Sequence, residues 1–357
     1  IITFNGEIYN FQILKADLLA QGCVFTGASD TEVLLTAIEF YGLEETLNKC
    51  NGMFAFALWD RETETLSIAR DRVGKKPIYY GWSGDNFIFA SELKALRKLP
   101  DFKAEINPEA MQDYMRYGYV PAPRCIYKGI HKLPAGCFVS LSLPQLQARK
   151  ADIQTYWSLA QAVQYGQDHP AKVPDNQALD DLDQVLNESV KSRMISDVPL
   201  GSFLSGGIDS SLVTAVMQKN SDVPIKTFSI GFEEAAYNEA SHAKKIAEYL
   251  GTDHTEFYVT AEEARDVIAR LPDIYDEPFA DPSEIPTFLL SRLAKEHVTV
   301  ALSGDGGDES FCGYKRYARY GRTNFLRHMP FKGALQFVLG KMPVPVKFKT
   351  ALGTVLY

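Results

Sequence analysis

A glycine- and serine-rich heptapeptide at residues 205–211 constrains the fold of this chain more than any other segment. It reads Ser205-Gly206-Gly207-Ile208-Asp209-Ser210-Ser211, and it lies between an apolar run at 198–204 and a helical pattern at 212–219. A strand that ends in such a turn and opens a helix makes an anion site, because backbone N–H groups and the helix dipole point at the ligand. Glycine lets the backbone approach a phosphate closely, and serine hydroxyls add hydrogen-bond donors. The segment therefore predicts a strand–turn–helix unit that binds phosphate.

Asp209 is out of place in a site for phosphate alone, because its charge would repel the ligand. We interpret it as a Mg²⁺ ligand beside a polyphosphate. An ordinary tight turn with a helix cap is the alternative, and the two glycines and three serines make it the weaker one. The turn lacks the lysine of a Walker loop. It resembles the pyrophosphate-binding loop of the ATP pyrophosphatase family, whose members split ATP into AMP and pyrophosphate while they adenylate a substrate.

Strand-like and helix-like patterns alternate from residue 198 onward, after a helix predicted at 179 to about 195. This alternation is typical of an α/β domain with a doubly wound, mostly parallel sheet, whose ligands bind at the carboxyl ends of the strands. The predicted strands are 198–204, 225–232, 255–259 and 298–302, and the predicted helices lie near 210–219, 239–250, 261–271 and 285–297.

A second acidic, glycine-rich turn, Ser303-Gly304-Asp305-Gly306-Gly307-Asp308-Glu309, follows the strand predicted at 298–302. In a parallel sheet this turn ends on the same edge as the Ser205 turn. Two such turns supply what an ATP–Mg²⁺ site needs, namely backbone N–H groups for phosphate and carboxylates for the metal. Ile230 closes another strand on that edge and is a candidate to flank adenine, although core packing is the default interpretation for a lone apolar residue.

Residues 1–145 show a different pattern, which predicts an α+β domain built on antiparallel sheets. A strand at 1–4 is followed by an Asn5-Gly6 turn and by a helix near 12–21. Ser29-Asp30-Thr31-Glu32 has the S-x-x-E pattern of a capping box and predicts a helix that ends near Gly42. Four β-rich runs then show the spacing of antiparallel strands; they are 53–59, 66–69, 78–82 and 87–90.

The polar, proline-containing segment 146–177 is the predicted connection to a second domain at 178–357. The composition of the whole chain excludes several classes of protein. A net charge of −8 argues against a general nucleic-acid-binding protein, and no apolar stretch is long enough to span a bilayer. The five cysteines are scattered without a C-x-x-C pair, which fits a reduced, cytoplasmic setting and no zinc.

Several polar residues admit two interpretations. Asn5-Gly6 supplies two donors for a developing oxyanion, from a side-chain amide and an unobstructed glycine N–H, but Asn-Gly is also a common turn. Asp30 has an alternative role as a first-turn acid that stabilises its helix by about 0.3–1 kcal/mol. Asp71-Arg72-Val73-Gly74 is either a turn or the edge of a pocket, and the acidic loop 276–282 either lines a substrate pocket or leads into a helix. His242 is interpreted as a surface residue.

Together these motifs resemble the glutamine-dependent asparagine synthetase family, and the resemblance covers essentially the whole chain. The segments at Asn5 and Ser29 resemble its class II, N-terminal-nucleophile (Ntn-type) glutaminase domain, and the turns at Ser205 and Ser303 resemble its ATP-pyrophosphatase synthetase domain. The family hydrolyses glutamine in the first domain and uses the ammonia to amidate an aspartate that ATP and Mg²⁺ have activated as an acyl-adenylate. The implied partners are glutamine, aspartate and ATP, without nucleic acid or membrane. A homodimer is a candidate assembly, although the sequence does not select an oligomeric state.

The resemblance also implies roles for individual residues. Asn5 and Gly6 would form the oxyanion hole, and Glu7 and Asp30 would hold the glutamine, Asp30 through its α-amine. Asp305 stands where many members have a Glu that helps to form the acyl-adenylate, and it keeps the charge on a shorter side chain. The residues of the nucleotide site are Leu204, Ile230, Ser303 and Gly304 around adenosine, Ser205, Gly206, Gly207, Ser210 and Ser211 around pyrophosphate, and Asp209 and Asp308 on Mg²⁺.

The chain begins at Ile1, inside a strand-like run, and it ends at Tyr357 inside another apolar pattern. We therefore expect an internal fragment of a longer enzyme. The family's N-terminal Cys nucleophile, whose own α-amine activates it, is expected outside the fragment. So are the Arg that binds the glutamine carboxylate and the catalytic Lys of the synthetase domain. Such a fragment is expected to lack glutaminase activity.

Three other functions remain open from the sequence. A related amidotransferase would act on another carboxylate, such as a sugar uronate or a cell-envelope precursor. A non-catalytic, nucleotide-binding interaction protein is disfavoured by the intact acidic turns at Asp209, Asp305 and Asp308. A nucleotide-binding enzyme that acts on tRNA is disfavoured by the negative net charge and by the attached glutaminase-like domain.

Overall fold

A computed structural model of the chain describes residues 1–232 and 240–318. The described residues fall into two compact units. The first consists chiefly of Ile1–Asp197 and Tyr258–Glu296, and the second chiefly of Val198–Gly231 with the segments 240–257 and 297–318. No helix in these ranges combines the length and the apolar character that a bilayer span requires.

The first unit is built on two antiparallel sheets, in the orders β1-β2-β3-β7-β8 and β5-β4-β6. This confirms the predicted antiparallel α+β domain. Its strands within Ile1–Asp197 are β1 (Ile2–Ile8), β2 (Gly52–Asp60), β3 (Thr65–Arg70), β4 (Tyr79–Ser83), β5 (Asn86–Ala90), β6 (Ile130–Lys132), β7 (Cys137–Ser142) and β8 (Gln154–Thr155). Its helices there are α1 (Phe11–Ala20), α2 (Asp30–Tyr41), α3 (Leu43–Lys49), α4 (Leu93–Leu96), α5 (Pro108–Tyr117), α6 (Leu143–Gln147), α7 (Leu159–Asp168) and α8 (Asp175–Arg193).

β1 is amphipathic and closes one edge of the larger sheet. Its even-numbered residues Phe4 and Ile8 pack against a core to which Leu18, Val33 and Leu34 of α1 and α2 contribute. Full burial of a side chain of this size contributes about 1.5–3 kcal/mol. The odd-numbered residues of β1 lie on the opposite, more exposed face, so this core fixes which side chains the strand presents outward.

The predicted Asn5-Gly6 turn is wrong, because both residues lie inside β1. Asn5 pairs with Ala55 of β2, and Gly6 pairs with Phe54. A β-carbon at residue 6 would lie 2.6 Å from the Cα of Phe54, so glycine is needed because the two strands approach closely. Asn-Gly forms a tight hairpin turn where both residues adopt positive φ, and pairing with β2 along the whole strand prevents that.

Helix α2 begins where the capping-box pattern predicts, but the box itself does not form. The Ser29 hydroxyl accepts the N–H of Thr31 at 3.0 Å. The Glu32 carboxylate does not complete the reciprocal bond that a capping box requires. It accepts the N–H groups of Thr26 and Gly27, each at 2.8 Å, and thereby ties the preceding loop to the helix.

We expect the stability contribution of Glu32 to depend on pH. Hydrogen bonds from Thr26 hold the pKa of this carboxyl below its usual value of 4.5. A depressed pKa in the folded state stabilises the fold above the unfolded-state pKa, and this stabilisation is lost as the pH falls through the folded-state pKa. Urea unfolding should therefore separate Glu32→Gln from wild type at about pH 7, and the difference should shrink at an acidic pH below the usual carboxyl pKa of 4.5.

Glu39→Gln is the matched control for the removal of one charge from α2. Glu39 lies on the same helix, is exposed, and makes no hydrogen bond or ion pair within residues 1–232 and 240–318. It is expected to change the unfolding free energy little at either pH. A Glu32→Gln difference that stays constant between the two pH values would contradict the prediction.

The remainder of the described chain contains the four strands of a further sheet and the helices between and after them. In chain order these elements are β9 (Leu200–Phe203), α9 (Ile208–Lys219), β10 (Lys226–Phe232), α10 (Ala240–Leu250), β11 (Asp253–Val259), α11 (Ala261–Ile268), α12 (Leu271–Ile274), α13 (Glu284–Ala294), β12 (Val300–Leu302) and α14 (Gly307–Phe311). The strand order is β11-β10-β9-β12. Both β10 and β12 run parallel to β9, which confirms the predicted parallel sheet of an α/β domain.

Helices α11–α13 belong to the first unit, and two carboxylates of the acidic loop 276–282 help to hold them there. Asp276 accepts the N–H of Leu93 at 2.6 Å, 183 residues away in sequence. Glu277 accepts the N–H of Ile126 at 2.7 Å and forms an ion pair with Lys132. No local pattern indicates these contacts, because the partners are distant in sequence, and the pocket-lining role of the loop stays a prediction.

The helix lead-in interpretation of that loop holds for Asp281, whose carboxylate accepts the N–H of Ser283 at 2.8 Å just before α13. The predicted connection 146–177 carries β8 and α7 despite its polar composition. The domain boundaries at 145 and 178 stay a prediction.

Candidate functional site

The exposed face of β1 brings three polar side chains together. Asn5, Glu7 and Tyr9 follow one another at the two-residue period of a strand, so they lie on the same side of the sheet. The Asn5 amide donates to the hydroxyl of Ser91 at 3.2 Å. The cluster is therefore set by the strand and by the buried face opposite it.

The backbone of β1 directs alternate amide donors towards its outer edge. The N–H of Tyr9 bonds to the carbonyl of Asn51 on the β2 side at 2.8 Å. The N–H of Ile8 points the other way and donates to the Asp30 carboxylate at 3.0 Å. Because successive amides of a strand alternate in direction, the N–H of Gly6 lies on the same open side as that of Ile8. The structure thus gathers Asn5, Gly6 and Asp30 at one sheet edge.

Two acids make this edge electronegative. Partial burial, followed by the negative charge of Asp30, raises the pKa of Glu7, while Lys76 opposes the change. Asp30 lies in the first turn of α2, the position in which an acid was predicted to stabilise the helix. From the same position its carboxylate accepts the N–H of Ile8. A pair of carboxylates at a strand edge with amide donors suits a ligand that carries both an ammonium group and a carbonyl group.

The Asp71 segment is a turn rather than an open pocket edge. The Asp71 side chain is fully buried. Its carboxylate accepts four backbone N–H groups, at distances from 2.9 to 3.2 Å, from Phe54, Val73, Lys75 and Lys76. Three of these donors belong to the loop itself and the fourth to β2, so the carboxylate ties the loop that contains Lys76 to the sheet.

The Ser205 turn forms the predicted strand–turn–helix junction between β9 and α9. The Ser205 hydroxyl lies 2.9 Å from the Ser210 hydroxyl and accepts the N–H of Gly207. The Ser211 hydroxyl donates to the Gly207 carbonyl at 2.6 Å. These bonds hold the turn at the N-terminus of a 12-residue helix, which is the geometry that favours an anion.

The backbone conformation and the surroundings of residue 206 require glycine there. They also show that His242, interpreted as merely a surface residue, lies against the turn. Gly206 has φ of +83°, and a β-carbon on it would lie 2.9 Å from the His242 ring and 3.1 Å from the backbone nitrogen of Ala243. His242 is exposed, as expected, but it lies against the turn. No local pattern could have revealed that, because α10 returns to β9 only through the tertiary fold.

The second glycine-rich turn contacts the first. Its strand, β12, is the parallel neighbour of β9, so both turns leave the same sheet edge. A β-carbon on Gly304 would lie 2.5 Å from the backbone nitrogen of Ser210, and one on Gly307 would lie 2.6 Å from the Asp209 carboxylate. The two turns therefore meet backbone to backbone, with Asp209 between them.

The acids of these turns fit a divalent cation beside a polyphosphate. The carboxylates of Asp209 and Asp308 make no hydrogen bond or ion pair within the part of the chain that the structure describes. Mg²⁺ is usually held by one or two carboxylates with phosphate and water completing the shell. No group of three or more metal-ligating side chains occurs among the described residues. The Asp305 carboxylate instead accepts the Ser303 hydroxyl at 2.9 Å.

The two apolar residues predicted around adenosine differ in exposure. Leu204 is 1% exposed and packs against Ala243 and Ala247, so its side chain belongs to the core. Ile230 is partly exposed near the end of β10. Their roles in nucleotide binding stay predictions.

Comparisons with known proteins agree with both halves of this geometry. Residues 1–157 match the glutamine amidotransferase domain, and residues 181–351 match asparagine synthase. The chain is 37% identical over 353 residues to asparagine synthetase [glutamine-hydrolyzing] 1 of Bacillus subtilis. It belongs to the glutamine-hydrolysing asparagine synthetase family.

Relatives from other organisms agree with this assignment. An asparagine synthetase [glutamine-hydrolyzing] homologue of Methanocaldococcus jannaschii is 39% identical over 347 residues, which cover 96% of this chain and 64% of the relative. Asparagine synthetase B of Escherichia coli is 32% identical over 333 residues, or 88% of this chain and 52% of that protein. The Bacillus subtilis match covers 98% of this chain and 54% of the relative. The chain thus spans between about half and two thirds of the length of these family members.

Proposed function

We propose that the protein makes asparagine from aspartate, ATP and glutamine, with AMP, pyrophosphate and glutamate as the other products. The first unit would hydrolyse glutamine and the second would activate aspartate. This division follows the amidotransferase match at residues 1–157 and the asparagine synthase match at residues 181–351. We also propose that it acts in the cytoplasm, in keeping with five cysteines that are all free thiols.

The contact between the two glycine-rich turns carries this proposal. Ser205 and Ser303 begin turns on neighbouring parallel strands, and Gly304 lies against Ser210 at the start of α9. A ligand at this edge meets the N-terminus of α9, backbone amides from both turns and two unengaged carboxylates. ATP bound to Mg²⁺ combines the charges that such a set recognises.

In this function the residues of the second unit would bind and align ATP. The Ser205 turn, with Gly206, Gly207, Ser210 and Ser211, would bind the pyrophosphate portion through N–H and hydroxyl donors. Asp209 and Asp308 would hold Mg²⁺, which offsets the phosphate charge when the aspartate carboxylate attacks. Asp305 is proposed to act in acyl-adenylate formation, and its bond to Ser303 fixes its position beside the second turn.

In the first unit the residues of β1 would bind glutamine. The Asn5 amide and the Gly6 N–H would stabilise the oxyanion that forms at the glutamine side-chain carbonyl. Glu7 and Asp30 would hold the glutamine, Asp30 through its α-ammonium group.

The acceptor carboxylate is the part of the function that needs a direct test. Full-length protein, Mg²⁺, ATP and ammonia should release pyrophosphate with aspartate at least about 100-fold faster than with glutamate or glucuronate, because a site built for hydrogen bonds to one acid leaves polar groups unpaired with another. Asp209→Asn is the control and should lose the activity with every acid. Faster release with glucuronate would identify the related amidotransferase instead, and no release with any acid would refute an ATP-dependent ligase.

A further inference from the structure

The C-terminal end of α8 contacts the candidate glutamine face of β1. The guanidinium carbon of Arg193 lies 4.4 Å from the centre of the Tyr9 ring. Tyr9 directly follows β1 and lies on the same side of the sheet as Asn5 and Glu7. The contact therefore sits at one end of the cluster that would bind glutamine.

Arg193 is held in this position from its own helix. Its Nη1 donates to the Ser189 carbonyl at 2.7 Å and lies 2.8 Å from the Ser189 hydroxyl. Both Arg193 and Tyr9 are half-buried. A cation over an aromatic face gains more when it is partly desolvated, and the bonds to Ser189 reduce the entropy that the arginine loses in making the contact.

The pKa shifts of Tyr9 and Glu7 agree with close packing around the end of β1. Burial raises the pKa of Tyr9, while the charge of Arg193 and a hydrogen bond to it oppose the change. The pKa of Glu7 is raised by burial, by Asp30 and, more weakly, by Asp197. Asp197 follows α8 in the chain, so the helix end and the residues after it both flank the face that carries Glu7.

We propose that Arg193 is a positioning residue for glutamine binding, which it supports by clamping Tyr9 at the end of β1. The inference deepens the proposed function and rests on it. Tyr9 has its own N–H bonded to the Asn51 carbonyl, so the clamp fixes both the ring and the strand end next to Glu7. Arg193 lies in the part of the chain that matches asparagine synthase, whereas Tyr9 lies in the part that matches the amidotransferase. A residue of one family region thus shapes the ligand face of the other.

The test compares glutamine with ammonia as nitrogen donors for the full-length protein. Arg193→Ala should raise KM for glutamine about tenfold, because the free energy of one well-placed cation–π contact corresponds to a change of about that size. The kcat with glutamine and both constants with ammonia should stay within about twofold, because a loss of binding that is equal in the ground state and the transition state raises KM alone. Arg193→Lys should give an intermediate KM, since lysine keeps the charge but not the planar stacking or the forked donors.

Two further variants separate positioning from a general loss of structure. Arg116→Ala removes an exposed arginine that stacks on Tyr117 at 5.1 Å, away from β1, and it should leave KM for glutamine unchanged. In a Tyr9→Leu background, Arg193→Ala should raise KM no further, because its partner is already gone. Melting temperatures measured alongside show whether each variant is folded.

The possible failures are distinguishable. An unchanged KM for glutamine in Arg193→Ala, with normal wild-type kinetics, would overturn the inference alone. Equal losses with glutamine and ammonia would also overturn it, because they indicate a structural role. If the unsubstituted full-length protein forms product from ammonia but not from glutamine, the proposed glutaminase half fails, and the inference fails with it.

Discussion

Asp71→Ala is expected to destabilise the first unit by at least about 5 kcal/mol, which equals the entire stability of many domains. The buried carboxylate accepts N–H groups from Phe54, Val73, Lys75 and Lys76. Each hydrogen bond to a charged acceptor contributes about 1.5–3 kcal/mol, and the four donors would be left without a partner. Asp71→Asn should recover only part of the loss, because its amide nitrogen would face donors. Urea unfolding of the full-length protein measures both variants.

Asp60→Ala is the matched control for this prediction. Asp60 also accepts turn N–H groups, from Glu62 at 2.9 Å and from Thr63 at 3.4 Å, but it is exposed. Water can replace those bonds, so the urea midpoint should hardly change. Similar midpoints for Asp71→Ala and Asp60→Ala would show that burial of the Asp71 carboxylate does not organise the loop.

Gly304→Ala is expected to lower ATP-dependent pyrophosphate release about 100-fold, the usual cost of misplacing reactive groups by roughly 1 Å. The new β-carbon would lie 2.5 Å from the backbone nitrogen of Ser210 and 2.9 Å from the carbonyl carbon of Asp209. Since both neighbours are backbone atoms at the start of α9, the two turns must separate. The separation breaks the site that the proposed function assigns to the phosphates and Mg²⁺.

Gly166→Ala is the control for adding a methyl group to a glycine. Gly166 lies in α7, and a β-carbon there meets no atom within 4 Å. This variant should keep its full rate and gain stability of up to about 1 kcal/mol from better helix propensity. Glutamine hydrolysis, assayed on the same Gly304→Ala preparation and expected to be unchanged, reports that the first unit is folded. Wild-type pyrophosphate release by Gly304→Ala would mean that contact between the turns is not required.

Much of the second unit follows from local patterns. The alternation from residue 198 predicted strands and helices that β9–β12, α9 and α10 reproduce with shifts at their ends. Because parallel strands present their carboxyl ends at one edge, the sequence also predicted that Ser205 and Ser303 begin turns on a common edge. The order of strands brought these turns into direct contact, which the local pattern could not determine.

The first unit shows where local signals are overruled. Asn5-Gly6 is a turn signal in isolation, yet pairing with β2 keeps both residues extended. The Ser29 pattern located the start of α2 correctly, but Glu32 found better donors in the preceding loop than at Ser29. In both cases a partner outside the local segment competes with the local preference and offers stronger or more numerous hydrogen bonds.

By itself the sequence determined the class of each half, the phosphate-type turns and the family resemblance, because strand and helix periods and glycine-rich turns depend on neighbouring residues alone. Only the tertiary structure decided the partners of Asp71, Asp276 and Glu277, the position of His242 beside Gly206, and the clamp of Arg193 on Tyr9. Those contacts join residues far apart in the chain, and at the buried Asp71 no water can satisfy the same groups in their place.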